Sequence, residues 1–133
     1  MEFHIKDRIK PDAKILLIKL RSIGDVVYNT AVYSPIKKHL PNARLTVLVE
    51  SASYEIVKNH PDVDEVLCFK KGSFLDQVKF YLNLIWSRYD VAIDMHEGTR
   101  GAVMCFLSFA RFRIGGKFAR RAFLYNTKIN FSD

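Results

Sequence analysis

Residues 14–35 read KILLIKLRSIGDVVYNTAVYSP. Positions 15–20 are branched apolar residues broken only by Lys19, the composition of a short strand buried on both faces. A polar turn follows, Arg21-Ser22-Ile23-Gly24-Asp25, and then a helical pattern over 26–40. A strand that feeds a small-residue turn opening a helix gathers backbone N–H groups and the positive end of the helix at one point, where an anion or a developing charge is held. Asp25 stands at that point, at the carboxyl edge of the first strand. Open α/β sheets bind their ligands at this edge.

Working outward, residues 1–13 form a polar leader, with Pro11-Asp12 as a breaker ahead of the strand. Inside the first helix Val27, Ala31, Ile36 and Leu40 share a face, Pro35 is a point of interruption or kinking, and Pro41-Asn42 ends it. RLTVLVE at 44–50 is a second strand with Glu50 at its end, 54–59 a short helix, and EVLCF at 65–69 a third strand. Residues 74–88 make the longest amphipathic segment. Its Leu75, Val78, Leu82, Ile85 and Trp86 recur at helical spacing and are expected in the core. YDVAIDM at 89–95 is a fourth strand, 96–101 (HEGTRG) a second polar turn, and 102–110 an apolar helix. A fifth strand is expected over 111–114, a turn at Gly115-Gly116, and an extended piece over 127–131. Strands alternating with helices predict an α/β fold, a Rossmann-like, doubly wound parallel sheet with helices on both faces.

Length and composition set the bounds. The 133 residues are 49% apolar and 13% aromatic, which suits one globular domain over residues 14–133 and excludes a disordered chain. No apolar run approaches the ~18 residues of a membrane span, and the N-terminal stretch lacks a signal-peptide core, so a cytoplasmic location is expected. Cys68 and Cys105 lack C-x-x-C spacing, which argues against a disulfide framework or a zinc site and for buried small side chains. The net charge of +7 is concentrated late: residues 100–133 carry seven basic residues against the single acid Asp133. That bias points to an anionic partner such as a phosphate, an acidic sugar, a membrane surface or nucleic acid.

Motif checks narrow the choice. The first turn has neither G-x-G-x-x-G nor the phosphate-loop pattern G-x-x-x-x-G-K-[ST], which speaks against a dinucleotide or nucleoside-triphosphate site. Phe112, Phe118, Phe123 and Tyr125 in the basic third sit among apolar residues, and no RNA-binding signature is present, so nucleic acid is not favoured. No metal-ligand cluster stands out. Asp25 has two readings on its own residues, a cap of the following helix or a carboxylate at the mouth of a cleft. Ser22 is either a turn former or a hydroxyl donor to a ligand, and Gly24 lets backbone and ligand approach closely.

The segment ILLIKLRSIGDVVYNTAVYSPIKKHLPNARLTVLVE resembles the opening of the ADP-heptose:lipopolysaccharide heptosyltransferases, glycosyltransferase family 9. HPDVDEVLCF is similar to the approach to that family's third strand, YDVAIDMHEGTRGAV to its strand-plus-turn segment, and RIGGKFARRAFLYNTKI to the end of its N-terminal half. The resemblance implies one half of a GT-B architecture, in which two Rossmann-like domains face each other across a cleft. It implies that this half binds the acceptor, the Kdo-bearing inner core on lipid A, and that ADP-heptose binds a C-terminal domain not contained in these residues. Transfer by this half alone is then not expected.

By the same resemblance Asp25 is the general base of an inverting transfer, with no metal or other cofactor. Ser22, Gly24, Gly98, Arg100 and Arg120 become acceptor-binding residues, Arg100 and Arg120 through charge-assisted contacts to carboxylate or phosphate. The partners implied are the lipopolysaccharide acceptor and, peripherally, an anionic membrane surface at the cytoplasmic face of the inner membrane. Self-association through the exposed inter-domain face is a further expectation. The competing reading is a non-catalytic Rossmann-like module that binds an anionic ligand or nucleic acid through its basic third.

Overall fold

The computed structural model describes residues 11–20, 30–70, 72–95, 99–116 and 127–129. Their strands are β1 (Lys14–Ile18), β2 (Arg44–Glu50), β3 (Glu65–Phe69), β4 (Val91–Asp94), β5 (Phe112–Gly116) and β6 (Thr127–Ile129). The helices are α1 (Tyr33–His39), α2 (Tyr54–Val57), α3 (Phe74–Ser87) and α4 (Thr99–Leu107). The strands form one sheet in the order β3-β2-β1-β4-β5-β6, and every neighbouring pair is parallel. The chain therefore winds outward from β1 to β3, crosses back to place β4 beside β1, and winds outward again.

β1 lies in the middle because both of its faces are apolar. Ile15 and Leu17 join Val47, Val49, Val91, Ile93 and Ile114 in one core layer, covered by Tyr33 and Ile36 of α1 and Val57 of α2. Leu16 and Ile18 point the other way, into a layer with Leu48, Phe69, Ala92, Leu84 of α3 and Ala102, Met104 and Cys105 of α4. Two helices thus cover each face, and the alternation of side chains along a strand sorts the core residues between them. The doubly wound parallel sheet expected from the sequence is the fold observed.

Several local expectations are corrected. Pro35 does not kink a helix: α1 begins at Tyr33, after a single 3-10 turn at Thr30–Val32, so the proline falls in a first turn whose N–H groups need no intrahelical acceptor. Gly115 and Gly116 belong to β5, paired with Lys128 and Ile129 of β6, where a turn was expected. α4 starts at Thr99, so Arg100 and Gly101 lie on its first turn, in place of the preceding loop. Cys105 is buried, with its Sγ 3.7 Å from the Ala92 carbonyl oxygen, but Cys68 is only half-buried.

The largest correction concerns α3. Its core-facing side is Phe80, Tyr81 and Leu84, while Leu75, Val78, Leu82 and Trp86 are exposed. Helical periodicity located an apolar stripe correctly, but this helix carries two such stripes and the core takes the shorter one. The start of α3 is a capping box, in which Ser73 Oγ accepts from the Asp76 N–H at 3.3 Å and Asp76 Oδ2 accepts from the Ser73 N–H at 3.4 Å.

The amino edge of the sheet is knitted by charged residues. Asp90 Oδ2 accepts from the Lys14 N–H at 2.8 Å, and the Lys14 ammonium donates to the Ser87 carbonyl oxygen. Asp64 Oδ2 accepts from Lys37 Nζ at 2.6 Å and from the Leu45 N–H at 2.7 Å, tying α1, β2 and the approach to β3 together. Arg44 pairs with Glu65 at 3.0 Å.

Candidate functional site at the carboxyl edge

The strand order reverses between β1 and β4. Chains leaving the carboxyl ends of two strands at such a reversal diverge to opposite sides, which opens the crevice where doubly wound sheets bind ligands. Ile18 of β1 is in register with Asp94 of β4 on one side and with Leu48 of β2 on the other, so these ends form one continuous rim. The Met95 N–H donates to the Ile18 carbonyl oxygen at 2.9 Å, and the Glu50 N–H to that of Leu20 at 3.2 Å. Lys19 Nζ donates to the Met95 carbonyl oxygen at 3.2 Å. The first strand and the fourth are therefore latched across the crevice by a cation.

Arg100 is the predicted site residue that the structure places. From the first turn of α4 its Nη1 reaches Glu50 Oε1 at 3.5 Å, and its guanidinium carbon lies 5.2 Å from the centre of the Phe69 ring. One side chain thus bridges α4 to the ends of β2 and β3, combining an ion pair with a cation–π contact. Its side chain remains 39% exposed. Glu50 ends β2, as expected, and its pairing with Arg100 is seen only in the structure. Asp25, Ser22, Gly24, Gly98 and Arg120 lie outside the described residues.

Two residues that sequence reasoning passed over belong to the same rim. Asp94 ends β4 fully buried, and a Cβ on Gly101 would come within 2.6 Å of its Oδ1. The carboxylate is therefore pressed against the first turn of α4, where the helix field favours negative charge. Burial pushes the Cys105 thiol well above its usual range, with the Asp94 charge adding to the effect and Arg113 opposing it. Lys19 is the other. Both carry a signal in the sequence, a charge at the carboxyl end of an apolar run, 15–18 and 91–93, and a charge buried there needs a partner.

Along this edge Lys19 meets the Met95 carbonyl oxygen and Arg100 meets Glu50, while Asp94 is fully buried against Gly101 of α4; of these groups Lys19 and Arg100 are the cations able to meet an anionic ligand. Among the described residues no group of three or more histidine, cysteine, aspartate or glutamate side chains is arranged to hold a metal ion. Farther along the edge, Ser51, Tyr54, Cys68 and Lys70 line a shallow, open cavity of about 200 Å³.

No family model matches the chain. It is similar to the lipopolysaccharide heptosyltransferase 1 of Campylobacter coli, with 25% identity over 123 residues that make up 88% of this chain and 36% of that protein. Of solved structures, the Escherichia coli heptosyltransferase WaaC with ADP-2-deoxy-2-fluoro heptose superposes with a TM-score of 0.77 at 21% identity, covering 90% of this chain and 43% of that one. A glycosyl transferase family 9 structure from Veillonella parvula superposes with a TM-score of 0.70 at 17% identity, covering 82% of this chain and 33% of the other. The chain spans 36% of the length of the curated Campylobacter relative it matches.

Proposed function

We propose that the chain is the acceptor-binding, N-terminal half of a glycosyltransferase of the family 9, heptosyltransferase type, which the similarity to lipopolysaccharide heptosyltransferases over 88% of its length supports. The observation that carries this reading is the β1/β4 reversal of the strand order, with Lys19 and the Arg100–Glu50 pair at its carboxyl edge. An acceptor rich in carboxylate and phosphate, as the Kdo-bearing inner core of lipopolysaccharide is, suits such a rim. Glu50 and Phe69 both contact the Arg100 guanidinium, and such restraint reduces the side-chain entropy lost on meeting an anion.

In the proposed reaction Asp25 takes the proton of the acceptor hydroxyl as its oxygen attacks the anomeric carbon of ADP-heptose. The carbon–oxygen bond to the diphosphate breaks, ADP leaves with the electron pair, and the configuration inverts. The donor is bound by a second domain, and no metal or other cofactor enters. The acceptor is reached at the cytoplasmic face of the inner membrane; no helix of the described residues is long and apolar enough to cross a bilayer.

Calorimetric titration with a deacylated, Kdo-containing lipid A fragment tests the proposal. Binding is expected, weakened about tenfold or more by Arg100→Ala, because a charge-assisted hydrogen bond contributes roughly 1.5–3 kcal/mol. Asp25→Ala should leave acceptor affinity nearly unchanged. Tight binding of ADP in place of the fragment would assign the chain to the donor side, and binding of an oligonucleotide with steep salt dependence would replace the reading altogether.

A further inference from the structure

The outer side of α3 is apolar where solvent would be expected to select polar residues. Phe74 and Trp86, at the two ends of the helix, are 79% and 72% exposed, with Leu75, Val78 and Leu82 exposed between them and Ile85 half-buried. Scattered exposed apolar side chains are ordinary. Among the described residues, however, every large hydrophobic side chain that is exposed, Tyr54 excepted, lies on α3 or at the end of α4, the two helices that cover one side of the sheet. A concentration of this kind marks a contact surface.

The pattern along α3 identifies what covers it. Leu75, Val78, Leu82 and Ile85 follow one another at intervals of three, four and three residues, the a/d spacing of a helix that packs against another helix. The core does not use this seam, because Phe80, Tyr81 and Leu84 face it from the opposite side of α3. With Phe74 and Trp86 added, the apolar positions read the same in both directions about residue 80: Phe74 mirrors Trp86, Leu75 mirrors Ile85, and Val78 mirrors Leu82. If α3 lies antiparallel to its own copy, with a two-fold axis at the level of residue 80, each of the six meets its mirror. The seam is then complementary to itself, as a two-fold contact requires. None of the six is charged, which suits the dry centre of an interface.

The area agrees. At the exposures given above, two aromatic side chains that bury ~150–250 Å² each when fully covered, with their aliphatic neighbours, present on the order of 700 Å². A standard interface buries about 800 Å² per partner.

We propose that α3 is a homodimer interface, in which two copies of the chain pair antiparallel across Phe74, Leu75, Val78, Leu82, Ile85 and Trp86. Lys79 stands one residue from the axis and approaches its own copy beside the seam, so the dimer is weakest at low salt, where like charges are least screened. A contact with an anionic partner would weaken with salt instead. The interface is the outer side of a helix and not the carboxyl edge, so the inference goes beyond the proposed function and does not rest on the acceptor site.

Sedimentation velocity over a dilution series of the chain tests the assignment. A monomer–dimer equilibrium is expected, and the emission of Trp86, the one tryptophan of the chain, should move to the red as the dimer dissociates. Leu75→Ser with Leu82→Ser, both at exposed positions, should raise the dissociation constant at least about tenfold with the circular dichroism spectrum unchanged, since the dimer loses each apolar contact twice. Lys79→Gln should tighten the dimer and flatten its salt dependence. In a Cys68→Ser background, Lys79→Cys should be joined to its own copy by a short bifunctional maleimide, whereas Lys38→Cys, on α1 across the sheet, should not. A chain that stays monomeric at every concentration overturns the proposal, as does a dimer that Leu75→Ser with Leu82→Ser leaves intact or that Lys79→Cys fails to cross-link. A monomer whose Trp86 emission shifts only with lipid vesicles would give the face to a membrane instead. Titration with the deacylated acceptor fragment is read separately in the same variants, so loss of the dimer and loss of the acceptor site are distinguishable.

Discussion

Gly101 shows how closely the site's scaffold is fitted. A methyl group at this position would meet Asp94 Oδ1 at 2.6 Å and Oδ2 at 3.0 Å, and Asp94 is fully buried. Gly101→Ala should therefore destabilise the domain by roughly 1–3 kcal/mol, read as a lower urea midpoint at unchanged slope. An equal midpoint would mean that the Asp94 carboxylate is not held against the first turn of α4. In the sequence Gly101 is one of two glycines flanking Thr99-Arg100 and nothing marks it as the tighter one, because the close approach comes from β4. Asp94 was passed over in the sequence as well, since the expected strand over 89–95 carries two aspartates, Asp90 and Asp94, and nothing local separates them.

Among the elements, α3 is bounded by two devices of opposite quality. Its capping box satisfies orphan N–H groups at the start, and Ser73→Ala should cost about 1 kcal/mol in chemical denaturation. Its end is strained, with Arg88 at φ 53° and ψ 61°, so Arg88→Gly is expected to raise stability by up to about 1 kcal/mol in the same measurement. The helix itself was legible from its period, and its orientation was not. Leu75, Val78, Leu82 and Trp86 outnumber the apolar residues of the other stripe, so counting favours the wrong face. The core selects Phe80, Tyr81 and Leu84 because these meet Phe69 and the ends of β1 and β2, a partner surface that no local pattern contains.

For the molecule as a whole, stability in acid depends on the amino edge. Burial opposes ionisation of Asp64, but the hydrogen bonds from Lys37 and from the Leu45 N–H outweigh it and hold the carboxyl below its ordinary value of 3.8. A group whose pKa is lowered on folding stabilises the native state above its unfolded pKa, and that contribution is lost as the pH falls through the folded value. Asp64→Ala should thus lower stability by about 1 kcal/mol at pH 7, the partly exposed ion pair adding little, with the difference from wild type shrinking below pH 3.8. Urea unfolding at pH 7 and pH 3 measures it; a difference that does not shrink in acid would remove Asp64 from the acid limb.

The alternation of apolar strands with helical segments was enough to determine a doubly wound parallel sheet. A strand with branched apolar residues on both faces has to be covered twice, and parallel neighbours require crossovers. The place of the crevice followed from that topology, together with Arg100 and Glu50 as residues of its edge. Only the tertiary structure paired these two, set Lys19 across the β1/β4 gap, pressed Asp94 against Gly101, and turned the larger apolar stripe of α3 outward. Each of those outcomes depends on distances between segments remote in the chain, whereas the period of a strand or helix is written in its own residues.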